Sequence, residues 1–268
     1  MSLSEKICYS TIRIETQTNN GCYTGTGFFF NFSFANNERI PCIVTNKHVV
    51  EGAQTGILVV TCKTEDGKEY LHRVIISDFK KAWLFHPSAN VDLCVMPFQP
   101  IVEKLQAENK QPFFVTLDED LIPSQKQLDD LSELEDIIMV GYPDGIWDTV
   151  NNKPIFRKGI TATHPKRDFN GEKKFLIDAA CFPGSSGSPV LIFNQGSYTN
   201  SMGKIMIGDR MFLLGILHAG PQHTAQGVVQ FTNIPTAITS IPNNLGLVIK
   251  SELLKDFDIK LEELLHKQ

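Results

Sequence analysis

The sequence predicts an all-β protein, a sandwich or a pair of barrels. Two observations lead there. Apolar runs of strand length recur along the 268 residues, and Gly, Pro, Asn and Asp punctuate them. Hydrophobic residues make up 42% of the chain, which is enough for one large core or two smaller ones.

The runs fall at 27–32, 40–44, 57–62, 71–76, 93–98, 137–140, 175–177, 190–193 and 211–217. Between 99 and 135 the chain turns polar and carries Pro100, Pro112 and Pro123, so a connection between two β-units is expected there. This divides the chain into a first β-unit (1–110), a connection (111–135), a second β-unit (136–250) and a C-terminal helix (251–268). Ser251 is placed to cap that helix. Leu253, Leu254, Phe257, Leu261, Leu264 and Leu265 recur at spacings that give one apolar face. The face is expected to pack on the second β-unit rather than on a partner protein.

The net charge is −5, and the basic pairs Lys80-Lys81, Lys166-Arg167 and Lys173-Lys174 are short and interrupted. No nucleic-acid surface is expected from them. The first eighteen residues include Glu5, Lys6, Arg13 and Glu15 and contain no apolar leader core. No run approaches the roughly 18–20 apolar residues of a membrane span. A cytoplasmic protein is the expectation. Of the six cysteines, Cys42, Cys94 and Cys181 lie in apolar or motif segments, as small buried hydrophobes do, and reduced thiols are expected. His218 and His223 fit no common zinc spacing, so neither a metal nor a cofactor is expected.

Residues 178–189 read Asp-Ala-Ala-Cys-Phe-Pro-Gly-Ser-Ser-Gly-Ser-Pro. A Ser/Gly/Pro cluster alone is an ordinary loop. Here the small residues around Ser186 let the backbone fold tightly enough to expose its hydroxyl. The same turn aims the Gly184 and Ser186 N–H groups at one point, as an oxyanion hole requires. His48 follows the apolar run 41–44 and is placed to act as a general base. Asp92 heads the apolar run 93–98. An unpaired buried carboxylate is costly there, and an imidazole N–H would satisfy it. The order His48, Asp92, Ser186 is one of the known catalytic-triad orders.

These segments resemble trypsin-like serine peptidases, most closely the HtrA/Deg branch. Thr45-Asn46-Lys47-His48-Val49-Val50 is similar to that family's segment around the catalytic His. Asp92-Leu93-Cys94-Val95 resembles its Asp-Leu-Ala-Val, and 178–189 resembles its Asp-Ala-Ala-x-x-Pro-Gly-x-Ser-Gly-Gly-Pro. Gly25-Thr26-Gly27-Phe28 resembles the strand before the His segment. The resemblance implies a chymotrypsin-like double six-stranded β-barrel with the C-terminal α-helix added. It implies a serine endopeptidase with the triad His48, Asp92 and Ser186 and an oxyanion hole from Gly184 and Ser186. The substrate would be a peptide or protein, and a regulatory protein partner could restrain the enzyme. Ser188 departs from the family's second glycine. No PDZ-like domain is expected, because the second barrel needs most of the residues after Ser186.

In the family the P1 pocket sits beside the serine turn. This places Ala180, Ile216, Leu217 and His218 as substrate-binding residues, with the strand at 211–220 as an edge that pairs with substrate. No carboxylate stands at Ala180, so a basic P1 side chain is disfavoured. A small apolar P1 and a Glu or Gln P1 read by His218 are the alternatives. His218 lies one residue beyond the position where related peptidases place a P1-reading His, so a bulge or a turned ring is expected. The segment 141–159 is longer than the family's connection and reads as an anchored surface loop or as a cleft-facing loop that controls activity. Two other functions are weighed. One is a catalytically silent peptide-binding module of the same fold. The other is an esterase using Ser186, Asp209 and His218 or His223, which lacks the Gly-x-Ser-x-Gly turn and the alternating βα pattern.

Overall fold

The structure, a computed structural model, describes residues 1–34, 38–219, 222–223, 241–242 and 244–265. A short helix, α1 (Leu3–Cys8), precedes β1 (Thr11–Thr18), β2 (Gly21–Ser33) and β3 (Arg39–Thr45). The single turn α2 (Lys47–Val50) follows, and then β4 (Thr55–Lys63), β5 (Glu69–Ser77), β6 (Leu84–Phe85) and β7 (Cys94–Pro97). Helix α3 (Gln99–Ala107) leads to the short strands β8 (Gln111–Pro112) and β9 (Leu117–Asp118) and to α4 (Gln125–Asp129). These nine strands form one sheet in the order β5-β4-β1-β2-β3-β7-β6, with β8 on β4 and β9 on β2. Residues 111–118 therefore pair with the first β-unit, although the sequence places them in the connection.

The second unit holds β10 (Asp136–Gly141), β11 (Ile155–Thr161), β12 (Lys174–Asp178) and β13 (Pro189–Asn194). The hairpin β14 (Ser197–Thr199) and β15 (Ile205–Ile207) comes next, then β16 (Arg210–Ala219), the paired pieces β17 (Gln222–His223) and β18 (Ile241–Pro242), and β19 (Leu245–Lys250). Six of these strands close into a barrel in the order β10-β11-β12-β19-β16-β13. This is the six-stranded closure expected of the fold class.

Side chains alternate across a strand, so a strand covered on both faces reads as a continuous apolar run. On β2, Phe29 enters the first unit's own core with Ile14, Ile43, Leu58 and Met96. Its neighbours Phe28, Phe30 and Phe32 face the seam between the units. On β13, Val190 and Ile192 fill the barrel with Ile137, Phe175 and Val248. Leu191 turns to the seam and meets Val140, Leu213 and Ile249 there.

The C-terminal segment is a 3-10 turn at Ser251–Phe257 followed by α5 (Asp258–Leu265). Ser251 is not a cap: the 3-10 turn begins at Ser251 itself, with Lys250 at the position before it. Leu254, Phe257 and Leu261 are fully buried in the seam cluster beside Phe28, Phe32 and Val95 of the first unit. The segment therefore packs on both units, not on the second alone. His86, in the loop between β6 and β7, is tied to it through Asp256 at 3.2 Å, and Lys260 donates to the Phe85 carbonyl at 2.9 Å.

Candidate active site

Strand β3 ends at Thr45, and the chain turns at once into α2, which presents His48. Asn46 stands at the cap position but does not cap the helix. Its buried side-chain Nδ2 instead donates to the Asp92 carbonyl at 2.9 Å, which fastens the loop before β7 to the end of β3. Asp92 is held by His48 twice. Its Oδ1 accepts the His48 backbone N–H at 3.0 Å, and its Oδ2 lies 2.5 Å from the His48 Nδ1. A second imidazole converges on the same oxygen, with His218 Nε2 3.0 Å from Oδ2. Burial would raise the Asp92 carboxyl. Hydrogen bonds from His218 and His48 outweigh it and hold the group well below the usual carboxylate range.

The turn that carries Ser186 depends on two glycines with positive φ, Gly184 at +84° and Gly187 at +87°. A Cβ on Gly187 would lie 2.0 Å from the Thr26 carbonyl oxygen, and one on Gly184 would lie 2.7 Å from the Tyr142 carbonyl oxygen. Thr26 on β2 grips the turn. Its N–H donates to the Ser186 carbonyl at 2.9 Å, and its Oγ1 donates to the Gly184 carbonyl at 2.9 Å and accepts the Tyr142 N–H at 3.0 Å. Thr45 Oγ1 in turn donates to the Thr26 carbonyl at 2.7 Å. The Asp144 N–H donates to the Pro183 carbonyl at 2.6 Å, so the tight turn at Pro143–Gly145 braces the serine turn from below. Among the described residues, the N–H groups of Gly184 and Ser186 make no hydrogen bond within the protein. Sequence reasoning gave no role to Asn46, Thr26 or Thr45. Their only signal was membership of the motifs around His48 and Gly25.

The Ser186 hydroxyl donates to the His218 carbonyl at 3.1 Å rather than to His48. His48 and Ser186 nonetheless line one cleft of about 600 Å3 between the β-units, together with Val49, Thr24, Tyr23 and Gly184. Ala180, Ile216, Leu217 and His218 do not line that cleft. Ile216 and Leu217 are buried in the seam and barrel clusters respectively, and the Leu217 backbone is bonded to the serine turn, its N–H donating to the Ser188 carbonyl at 2.9 Å and its carbonyl accepting the Gly187 N–H at 2.8 Å. Strand β16 is not a free edge. Residues 210–216 pair with β13, and 215–219 pair with β19. Gly220 lies outside the described residues, as does the side chain of His223. Asp209, which an esterase triad would need, accepts the Gly196 N–H at 2.8 Å instead.

The long segment after β10 reaches across to the first unit. Arg13 donates to the Gly145 carbonyl at 2.6 Å and stacks on Trp147 at 3.9 Å, and Asn152 donates to Thr61 Oγ1 at 2.9 Å. Residues 145–153 are therefore anchored, while 142–145 touch the serine turn directly.

Among the described residues, His48, Asp92 and His218 form the one cluster with metal-ligand proximity, their donor atoms lying within 4.8 Å of one another. Two ligands about 2.1 Å from one tetrahedral ion stand roughly 3.4 Å apart. The contacts at 2.5 and 3.0 Å are instead those of N–H donors on a carboxylate. All six cysteines are unpaired, and no described helix is long and apolar enough to cross a membrane.

Two β-units, one a closed six-stranded barrel, thus bring a His–Asp pair and a glycine-framed serine to one cleft. The family model of the trypsin-like peptidase domain matches residues 25–198, well over half of the chain. The chain belongs to that family. Its fold is similar to that of a serine endoprotease from Yersinia pestis, at 16% identity and a TM-score of 0.46, covering 96% of this chain and 64% of that one. It is also similar to the HtrA-type protease AlgW with tripeptide, at 15% identity and a TM-score of 0.46, covering 94% and 61%. The active form of the Rv3671c protease from M. tuberculosis gives 15% identity and a TM-score of 0.47, covering 94% and 80%. This chain spans less than two thirds of the first two. No curated protein matches it.

Proposed function

We propose that this protein is a serine endopeptidase working through an acyl-enzyme on Ser186. His48 removes the Ser186 proton as the hydroxyl attacks the scissile carbonyl, and later returns it to the leaving amine. Asp92 orients His48 and stabilises the imidazolium. The N–H groups of Gly184 and Ser186 hold the oxyanion. Water then cleaves the ester by the reverse sequence.

The observation that carries this reading is the doubly bonded His48–Asp92 pair on the same cleft as Ser186. The attack requires the Ser186 side chain to turn from the His218 carbonyl to His48. Such contacts often tighten only when substrate binds. The same rotamer would suit a catalytically silent module that holds a peptide.

We divide the work between the units as the sequence suggests. Residues 1–110 bring the base and its carboxylate, 111–135 connect while their first part pairs with the first unit, 136–250 bring the nucleophile, and the C-terminal segment, through residues 251–265, ties the two together. By the family resemblance the P1 site lies beside the serine turn, near Ala180 and residues 216–218, although none of these lines the cleft shared by His48 and Ser186. A small apolar P1 is favoured over Glu or Gln, because the His218 ring is turned onto Asp92. The six unpaired thiols suit a reducing, cytoplasmic setting.

One experiment tests the reading. The wild type and Ser186→Ala are treated with a fluorophosphonate probe and then with a peptide library. The wild type is expected to label at residue 186 and to cleave after small apolar residues, and the variant to do neither. An unlabelled, folded wild type overturns the peptidase reading in favour of the silent module. Cleavage after Arg overturns the P1 assignment alone.

A further inference from the structure

We propose that the free edge of strand β15 is a docking surface for a second copy of this chain, so that two molecules join hairpin to hairpin into one four-stranded sheet. This surface lies outside the cleft and does not rest on the peptidase reading. Strands β14 and β15 pair only with each other. A lone two-stranded ribbon is marginal in water, but this one is fastened down. Tyr198 stacks on Arg210, with 4.3 Å from the guanidinium carbon to the ring centre, and Arg210 is itself paired with buried Glu135. The Gly196 N–H donates to the Asp209 carboxylate at 2.8 Å, and at the hairpin tip the Ser201 N–H donates to the Asp130 carbonyl at 3.0 Å. The ribbon therefore holds its outer edge in a fixed pose, which lowers the entropy cost of docking.

The phase of the ladder shows what that edge offers. The Asn200 N–H donates to the Lys204 carbonyl at 3.0 Å, and the Gly208 N–H donates to the Gly196 carbonyl at 2.9 Å. Bonded pairs alternate along an antiparallel ladder. Tyr198 and Met206 are thus the bonded pair between these two, and the N–H and C=O groups of Ile205 and Ile207 point away from β14. Among the described residues no other strand receives them. The two isoleucine side chains share one face of the ribbon and are 77% and 93% exposed. Exposed edges are ordinarily guarded by Lys, Pro or a bulge. This one reads Ile-Met-Ile from 205 to 207, with Lys204 and Asp209 held to its ends.

The occupant follows from the symmetry of that edge. A second β15 laid antiparallel, with a two-fold axis at Met206, sets Ile205 opposite Ile207 of the second copy and Ile207 opposite Ile205 of the second copy. Each such pair exchanges both of its N–H···O bonds, and the isoleucines of both copies meet on one face. The same register lays the Lys204 end of one strand along the Asp209 end of the other. A parallel arrangement would instead set like charges side by side. The antiparallel contact is the isologous interface of a two-fold dimer. Facing strands this short bury less than the roughly 800 Å2 per partner of a standard interface. The dimer is therefore weak and forms as concentration rises through about 10–100 µM. No hairpin residue lines the cleft that holds His48 and Ser186, so the contact takes nothing from it.

Sedimentation equilibrium of the full chain tests this. The wild type is expected to be a monomer near about 1 µM and mostly dimer near about 300 µM. Ile207→Lys is expected to raise the midpoint at least about tenfold. Ile207→Pro removes an edge N–H that β14 does not use and is expected to do the same. Circular dichroism of the Lys variant should match the wild type, because the side chain it replaces is almost fully exposed. Cross-linking reads the register, with the exposed Cys22 replaced by Ser. Met206 meets Met206 of the second copy in a non-bonded pair, where Cα atoms stand about 4.5 Å apart, within disulfide reach. Met206→Cys should therefore give a self-linked dimer on oxidation, and Ile207→Cys should give little. A wild type that stays monomeric to about 300 µM overturns the proposal and hands the edge to a strand of another protein. Association untouched by Ile207→Lys, or linkage through residue 207 in preference to 206, overturns it as well.

Discussion

Gly187 is the most tightly constrained of the described positive-φ glycines. It combines a φ of +87° with a site where a Cβ would meet the Thr26 carbonyl at 2.0 Å and the Thr45 hydroxyl at 2.4 Å. The close approach exists because β2 must deliver Thr26 to the Ser186 carbonyl. Gly52 has a similar φ of +79° but open space around it. Gly187→Ala is therefore expected to lower stability by about 2–4 kcal/mol and to abolish labelling of Ser186. Gly52→Ala should cost about 1 kcal/mol and leave labelling intact. Denaturant melts together with probe labelling check both. Equal effects at the two sites would mean that φ alone, not contact with Thr26, governs the turn. Ser188, the departure from the family's glycine, is accommodated by a neighbour. A Cβ on Gly141 would lie 2.1 Å from the Ser188 hydroxyl, so the glycine has in effect moved to the neighbouring strand β10.

The C-terminal segment carries an unusual carboxyl. Asp258 opens α5 with its Oδ1 buried and unpaired. Burial first, and then the charges of Glu119, Asp256 and Glu262, push it up to about 6. The sign of the pH effect follows directly. The folded state binds this proton more tightly than the unfolded chain, whose carboxyl titrates near 3.8. The contribution is fully present below that value and is lost as pH rises through about 6. Asp258→Asn, which cannot ionise, is thus expected to melt higher than the wild type at pH 7.5 and to converge with it near pH 4. Thermal melts at the two values check this, and a pH-independent difference would rule the mechanism out. The segment 142–153 is a second element with a role of its own. Its bonds to Arg13 and Thr61 anchor it to the first unit, and its first turn supports the serine turn.

At the scale of the whole molecule, the seam between the two units is filled by an apolar cluster. Phe28, Phe30 and Phe32 from the first unit, Leu191, Leu213 and Ile249 from the second, and Leu254, Phe257 and Leu261 from the C-terminal segment form one cluster. Phe257 touches both the Phe32 and His86 rings, with centroids 6.4 and 5.2 Å apart. Removing it opens a cavity shared by both units. Phe257→Ala is expected to destabilise the protein by about 3–5 kcal/mol and to keep a single unfolding transition. Two transitions on calorimetry would show instead that the units unfold independently and that the segment belongs to one of them.

The sequence by itself determined the all-β class and the short motifs that hold His48, Asp92 and Ser186. Each is written in contiguous residues: apolar runs, a His after a strand, an Asp before one, and a serine framed by glycines. It did not disclose β1, where Ile12 and Ile14 alternate with polar residues, or β11 and β19, whose runs are broken by Arg157, Lys158 and Gly246. Tertiary structure alone decided where His218 points, that β16 is an interior strand, that Asn46 and Thr26 are spent on the Asp92 and Ser186 backbones, and that the C-terminal segment spans both units. The reason is physical. A strand's identity follows from its own side chains, but the direction of a ring at a bulge and the partner of a buried amide are set by residues tens of positions away that folding brings within hydrogen-bond reach.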